Sequence, residues 1–418
     1  MLHRLYFLTN ENFKSIVVKF AENLMVALAL CVGLTMADKP VSSALKLVAD
    51  GNALFNVELF KKIAAAKPGQ NIISSPLSAH TVLAMAAYGA KKNTAAEMQK
   101  GLHLASDEVI GRQGYQNLIE HLNSVNNVTL ELANKIYVND QVPLKDSYRQ
   151  LAATNFFSDA SPLNVAKPAE SAAEINQWVK DKTHNKIDEI IKADAITHDL
   201  AMVLLNAVYF KGAWSKAFKK ELTKPMVFNV DAQTQKHVDT MSITSSFHYG
   251  ELPDLKAKFI ELPYQNKNVK MVIIVPDEID GLKDVINNLE HFNASRLAKS
   301  GYDREVHLYL PKFKIETKID LNEPLKALGM KDMFTPAADF SGMTDKPVYV
   351  SKVTQKAFIE VNEEGSEAAA VTAIVMPVSA HFNPPTPTLK VDRPFFFRIF
   401  YVPTKTTLFI GSVNQLDA

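Results

Sequence analysis

Glu360-Val-Asn-Glu-Glu-Gly-Ser-Glu-Ala-Ala-Ala-Val-Thr-Ala-Ile-Val-Met-Pro-Val-Ser-Ala-His-Phe-Asn-Pro-Pro-Thr-Pro-Thr-Leu-Lys-Val-Asp-Arg-Pro394 lies near the C-terminus of a 418-residue chain. Strand-like sequence flanks it: residues 348–361 before, and Phe395-Phe-Phe-Arg-Ile-Phe and Thr407-Leu-Phe-Ile-Gly after, joined by a turn at Pro403-Thr404-Lys405. The middle is neither a good strand nor a good helix. An irregular connection of this length inside a compact domain is uncommon, and is usually functional or disordered. From Gly365 to Ala373 the side chains are mostly small or β-branched. Read as a strand, alternate residues share a face. Ser366, Ala368, Ala370, Thr372, Ile374 and Met376 then line one face, and Glu367, Ala369, Val371, Ala373 and Val375 the other. The first face is small at its start and apolar at its end, which suits a segment that slides between strands of an existing sheet. Gly365 has no Cβ, so the backbone turns there without steric cost. A segment of this kind is a loop in one state and a strand in another. The residues alone leave a plain Ala-rich surface loop equally open.

Outward from this stretch, the first half of the chain reads as helix. Residues 42–67 have Val48, Phe55 and Leu59 near one face and stop at Pro68-Gly69. A short strand at Asn71-Ile-Ile-Ser-Ser75 leads into an almost wholly apolar helix from Pro76 to Gly89, which should be buried. Residues 93–102 predict a helix with Thr94 and Glu97 in capping-box spacing. Further helices are predicted over 106–123, 144–154 and 168–191, with a strand over 128–138. In the 168–191 helix, Ile175, Trp178 and Val179 share a face that packs on a sheet, while Lys182 and Lys186 face water. From Ala201 the texture turns to strands. Residues 201–210 and 269–276 are continuous apolar runs of central-strand type, and 257–262 alternates. Residues 304–317 read as one half-exposed strand, and 321–330 as a short helix. No linker divides the chain and no repeat is present, so the pattern predicts one α+β domain.

Composition excludes several classes. The chain is 47% hydrophobic, and 46 Lys+Arg stand against 45 Asp+Glu, so no nucleic-acid or polyanion footprint shows in the balance. Lys216, Lys219, Lys220 and Lys224 read as solvated faces. Leu24–Leu34 is an apolar run of signal-peptide length with Lys14 and Lys19 ahead of it and Thr35-Met-Ala37 as a cleavage site. The run is too short to span a membrane comfortably. A leader over 1–37 is therefore expected, with Met25 as another start and a buried N-terminal helix as the competing reading. Cys31 is the only cysteine. Cleavage would leave residues 38–418 free of cysteine, with stability resting on packing alone. Asn127-Val-Thr129 and Asn293-Ala-Ser295 are glycosylation sequons if the chain is secreted. No Gly-x-Ser-x-Gly elbow, phosphate loop, His-Glu-x-x-His or Cys-x-x-Cys occurs, and the 11 histidines show no metal-ligand spacing. The expectation is no enzyme, no metal and no cofactor.

Five stretches in order resemble the serpins. They are Asn71-Ile-Ile-Ser-Ser-Pro-Leu-Ser78; the helix carrying Asn176, Trp178, Thr183 and Ile187; and Leu205-Asn-Ala-Val-Tyr-Phe-Lys-Gly-Ala-Trp214. The other two are the hinge Glu363-Glu-Gly-Ser-Glu-Ala-Ala-Ala370, and Leu389-Lys-Val-Asp-Arg-Pro-Phe-Phe-Phe397 with Leu408-Phe-Ile-Gly411. The resemblance spans about Ser42 to Leu416. It implies an α+β fold of about nine helices and three sheets, with an exposed reactive-centre loop over about 363–388. It also implies a monomeric suicide inhibitor of a serine endopeptidase. The protease cuts the loop, forms an acyl-enzyme, and is trapped when the cut end enters the sheet as a strand.

Carried over residue by residue, Glu363, Glu364, Gly365, Ser366, Glu367, Ala368, Ala369 and Ala370 are the hinge. Ser75, Asn206 and Trp214 fall in the sheet-opening region. Gln355 stands where many members have a histidine, and altered tuning is expected there. Counting fourteen residues from Gly365 puts the scissile bond at Ser379-Ala380, with Val378-Ser379 the nearest alternative. Counting back from Pro394 gives Asn383 instead. Small residues there suit an elastase-like or chymotrypsin-like target. A papain-like cysteine protease, or a non-inhibitory carrier or chaperone role, are the other readings. The 106–123 helix has only Arg112 as a strong base, so no heparin site is expected on it. The partners expected are a protease in covalent complex, with no nucleic acid and no membrane.

Overall fold

The computed structural model describes residues 42–366 and 385–416. The leader expected over 1–37, hinge residues Glu367–Ala370 and the scissile residues Val378, Ser379 and Ala380 lie outside the described residues. Helices fill the first half. Helix α1 (Ser43–Ala66) starts at Ser42, whose hydroxyl accepts from Leu45 N at 3.1 Å. After β1 (Ile72–Ser74) comes α2 (Pro76–Ala87), capped by Ser75 and buried at every position. Then follow α3 (Lys92–Gly101), α4 (Glu108–Asn123), β2 (Val128–Asn139), α5 (Asp146–Phe156), β3 (Asp159–Leu163) and α6 (Pro168–Lys182). The second half opens with strands β4 (Met202–Ala213), β5 (Lys224–Asn229), β6 (Gln235–Leu252), β7 (Ala257–Pro263) and β8 (Val269–Pro276). Short helices α7 (Leu282–Asn287) and α8 (Ala294–Ser300) precede β9 (Gly301–Pro311) and β10 (Phe313–Asp320), and α9 (Asn322–Ala327) precedes β11 (Val350–Asn362). The last strands are β12 (Gly365–Ser366), β13 (Thr388–Lys390), β14 (Phe395–Tyr401) and β15 (Thr406–Val413).

Two hydrogen-bonded sheets result. One has six strands in the order β10-β11-β12-β4-β2-β3; the other has nine, in the order β1-β15-β14-β8-β7-β6-β9-β13, with β5 on β6. The 18-residue β6 gives the larger sheet two lobes, pairing with β5 at its start, β9 in its middle and β7 at its end. The nine described helices and these three strand groups match the expected α+β fold. The centre of the six-stranded sheet is apolar on both faces. On β4, Met202, Leu204, Val208 and Phe210 enter the main core, while Val203, Leu205 and Ala207 enter a second core with Ile175 and Val179 of α6. That alternation is why β4 reads as a continuous apolar run.

Several elements depart from expectation. The 304–317 stretch is two strands in different sheets: β9 ends at Pro311, and β10 begins at Phe313. Pro311 supplies no ladder donor, while the alternation continues across the break and hides it. Helix α6 stops at Lys182, because His184 and Asn185 take left-handed backbone angles (φ +50° and +60°). Thr94 and Glu97 do not cap α3, which has no side-chain cap. Thr94 Oγ1 instead donates to Asp332, and Glu97 Oε2 accepts from Lys331 N and Asp332 N at 2.7 Å each. Strands β3, β5 and β6 escape the sequence reading. β6 is polar along much of its length, with Thr244 and Ser246 among its less buried positions.

Candidate functional site

The site is the seam between β4 and β11. These strands run parallel and pair directly from Val350↔Met202 to Phe358↔Tyr209. Beyond that point they part, and β12 stands between them antiparallel to both. Ser366 lies between Val361 and Gly212, and Gly365 between Asn362 and Ala213. Gly365 and Ser366, past the turn that ends β11, are thus already strand. The turn before them is set by Asn362, whose Oδ1 accepts from Glu364 N at 3.0 Å and Gly365 N at 3.3 Å. Gly365 has φ +152°, and a Cβ there would sit 2.1 Å from Gly212 O. Glycine is required at this position both for the backbone angle and for the close approach of β4.

An aromatic post holds the hinge. Ser366 is fully buried, and its hydroxyl shares a 2.6 Å hydrogen bond with Tyr264 OH. Burial pushes the Tyr264 phenol far above its ordinary pKa, so it stays neutral. Trp214 stacks on Tyr264 at 4.6 Å and 15°. Its Nε1 donates to Asn362 O at 3.0 Å and its backbone N to Glu364 O at 2.9 Å. The acidic pair also has partners. Glu363, with 7% of its side chain exposed, accepts from Thr223 at 2.8 Å and pairs with Lys312 at 3.3 Å. Burial works to raise the Glu363 carboxyl, but its own backbone N–H, Thr223 and Lys312 outweigh it and hold the pKa below the ordinary value. Glu364 pairs with Lys220 at 2.6 Å, so Lys220 is engaged with the hinge.

Ser75, Asn206 and Gln355 form a second group in the closed part of the seam, six residues along β11 from Val361. The spacing is about 20 Å at roughly 3.3 Å per residue. Trp214 is therefore apart from them, bonded to Asn362 and Glu364. Gln355 is fully buried. Its Nε2 donates to Ser75 O at 2.8 Å and Asn206 Oδ1 at 2.6 Å, while its Oε1 accepts from Ser74 Oγ at 2.6 Å and Ser75 N at 2.9 Å. Asn206 Nδ2 continues to Ser78 and Asn134, and Ser75 Oγ donates to Leu408 O at 2.6 Å. One side chain thereby ties both seam strands to the start of α2. Tyr264, Thr223, Lys312 and Asn134 carry no local sequence signal. Strand register and the packing of α2 bring them here.

The far stem of the long stretch is docked along β9. Arg304 Nη2 donates to Pro385 O at 3.3 Å, Thr386 Oγ1 to Glu305 at 3.2 Å, and His307 N to Pro387 O at 2.9 Å. Of the sequons, Asn127 is exposed with φ +57°. Asn293 is committed as the cap of α8: Oδ1 accepts from Arg296 N at 3.0 Å and Nδ2 donates to Glu290 O at 3.1 Å. No cluster of three or more metal-binding side chains occurs among the described residues, and no described helix is long and apolar enough to cross a membrane.

Residues 50–416 match the family described as serpin (serine protease inhibitor). The chain belongs to the serpin family. This serpin is 36% identical over 359 residues to alaserpin of Manduca sexta, covering 85% of this chain and 91% of the relative. It is 34% identical over 373 residues to the leukocyte elastase inhibitor of Sus scrofa, covering 87% and 98%. The crystal structure of Serpin48, a highly specific serpin in the insect Tenebrio molitor, superposes with a TM-score of 0.81 at 30% identity, covering 88% of this chain and 98% of that one. The family consists of protease inhibitors rather than catalysts, so this serpin is not an enzyme, and a target protease is its partner class.

Proposed function

We propose that the protein is a secreted, monomeric suicide-substrate inhibitor of a serine endopeptidase of elastase-like or chymotrypsin-like preference. The carrying observation is β12: Gly365 and Ser366 already occupy the gap between β11 and β4, and the seam below them is closed by direct pairing. Continuing this register assigns each later residue a place. Ala368 would enter between Ile359 and Phe210, on the core face, and Thr372 between Gln355 and Asn206. The Gln355–Asn206 bond must break for the strand to pass, and the Thr372 hydroxyl arrives where those two amides lose each other.

The reaction needs no residue of this chain as catalyst. The protease serine attacks the Ser379 carbonyl, the Ser379–Ala380 bond breaks, and the Ala380 amine leaves carrying the proton. Ser379 is left as an ester on the protease. Insertion from the hinge then carries that ester away from the docked stem at Pro385–Pro387. The docked stem also gives the extra residues before Pro394 a place on β9, which supports the count from Gly365. Similarity to a leukocyte elastase inhibitor supports the small-residue preference. Residues 1–37 are the proposed leader. Asn127 is the better glycan acceptor, because its amide is not committed to a helix cap.

The test is incubation with elastase-, chymotrypsin-, trypsin- and papain-like enzymes. An SDS-stable complex with one of the first two, and a denaturant-released peptide beginning at Ala380, is the expected result. Cleavage without any complex would overturn the inhibitory reading, and a peptide with another start would overturn the hinge count.

A further inference from the structure

Strands β10 and β11 carry a lysine cluster on the outer face of the six-stranded sheet. Lys318 of β10 lies directly opposite Lys356 of β11. Lys352 is four residues earlier on β11, an even spacing that puts it on the same face. The segment after α6 meets Lys356 at Glu189 O, and Lys192, three residues on, acts on Lys318 through its charge. Lys356 is satisfied: it pairs with Glu316 at 2.6 Å and donates to Glu189 O at 2.9 Å. Lys318, Lys352 and Lys192 form no ion pair among the described residues. Burial, then the charges of Lys352, Lys356 and Lys192, hold the Lys318 ammonium below its ordinary pKa, with Glu189 opposing. Like charges this close repel unless a counter-charge joins them.

We infer that Lys192, Lys318 and Lys352 form a binding site for a small multivalent oxyanion, a phosphate or sulfate ester, which bridges the segment after α6 to strands β10 and β11. Three ammonium groups supply donors without acceptors, matching an oxyanion that has acceptors only. The bridge has a mechanical consequence, and this part rests on the proposed inhibitory function. Ile187, Ile190, Ile191 and Ile196 of the bridged segment pack on Val203 and Leu205 of β4 and Phe358 of β11. Asn176 fixes its end to α6 by accepting from Ile190 N at 2.8 Å and donating to Ile191 O at 2.8 Å. Parting β4 from β11 shifts this packing. An anion tying Lys192 to Lys318 and Lys352 therefore holds the seam shut and slows strand entry. More molecules would be cut as substrate for each protease trapped.

The experiment titrates the full chain with tripolyphosphate and, separately, with a trisulfated disaccharide, by calorimetry at low and physiological salt. Saturable binding is expected, weakening with salt. In Lys318→Gln/Lys352→Gln it should weaken by about tenfold or more, and in a control Lys283→Gln/Lys299→Gln it should not. The tighter of the two probes identifies the ester class. Equal binding by the two double variants, or none by the unmodified chain, overturns the site. Inhibition stoichiometry is measured alongside. A rise with bound anion that is absent in Lys318→Gln/Lys352→Gln supports the bridge, and no rise overturns it. A chain that binds anion but inhibits no protease leaves the site standing and refutes the inhibitory function.

Discussion

At the scale of the residue, Gln355 shows what one side chain decides. Its amide offers two donors and two acceptor lone pairs, and all four are used. A histidine there has two ring nitrogens and serves at most two of those partners. Gln355→His should therefore lower stability by about 1–3 kcal/mol per stranded group. It should also introduce a pH dependence near the ordinary histidine range that the glutamine seam lacks. Denaturant melts at pH 5.5 and 8 check this, and equal losses at both pH values would count against it. A titrating group does exist elsewhere. His80 in α2 donates through Nε2 to Leu102 O at 2.7 Å and accepts at Nδ1 from Tyr115 OH at 2.9 Å. Burial lowers its pKa from 6.5 to about 4, against a smaller upward pull from Leu102 O. Between those values the unfolded chain holds the proton and the folded chain does not. Stability should thus fall as pH drops from 6.5 to 4, by about 3 kcal/mol from this group. In His80→Gln the slope of unfolding free energy over that window should flatten. An unchanged slope would sink the assignment.

At the scale of the element, the proposed function turns on β12 and the strand that would grow from it. If insertion continues the register of β12, Ala368 would enter between Ile359 and Phe210, both buried. Ala368→Glu would drive a carboxylate into that core, at a cost of several kcal/mol unless it is protonated. The variant should keep its native stability, form at least tenfold less SDS-stable complex, and be cut as a substrate. Undiminished complex would refute strand entry. Helices with strong apolar periodicity and caps, such as α1 and α2, were legible in the sequence to within a residue or two. So were β4 and β8, because strands buried on both faces leave nearly continuous apolar runs. β6 was not, since a long polar-looking strand shows no such run. The α3 box failed because Thr94 and Glu97 have better partners far along the chain. Of the site, the hinge residues and Gln355 were readable as resemblances. Tyr264, Thr223 and Lys312 were not, since nothing local distinguishes them until register sets them beside Ser366 and Glu363.

At the scale of the whole molecule, the proposed inhibition requires the six-stranded sheet to accept one more strand. Insertion exchanges solvated backbone for ladder partners on both sides, at a net gain of up to about 1 kcal/mol per bond. Cutting the loop should raise the unfolding temperature by well over 10 °C if the insertion nets several kcal/mol. A calorimetric scan before and after limited proteolysis measures it, and no rise would favour a non-inhibitory role. The topology also governs what becomes of the two pieces. Everything after the cut includes β13, β14 and β15. β14 and β15 sit inside the nine-stranded sheet between β8 and β1, with Phe395, Phe396, Phe397 and Ile399 almost wholly buried. A chain cut at the proposed bond would therefore be a two-chain assembly without a covalent join. It should migrate as one particle under native conditions and split only when the core itself is dissolved. Spent inhibitor would stay in one piece with its captive.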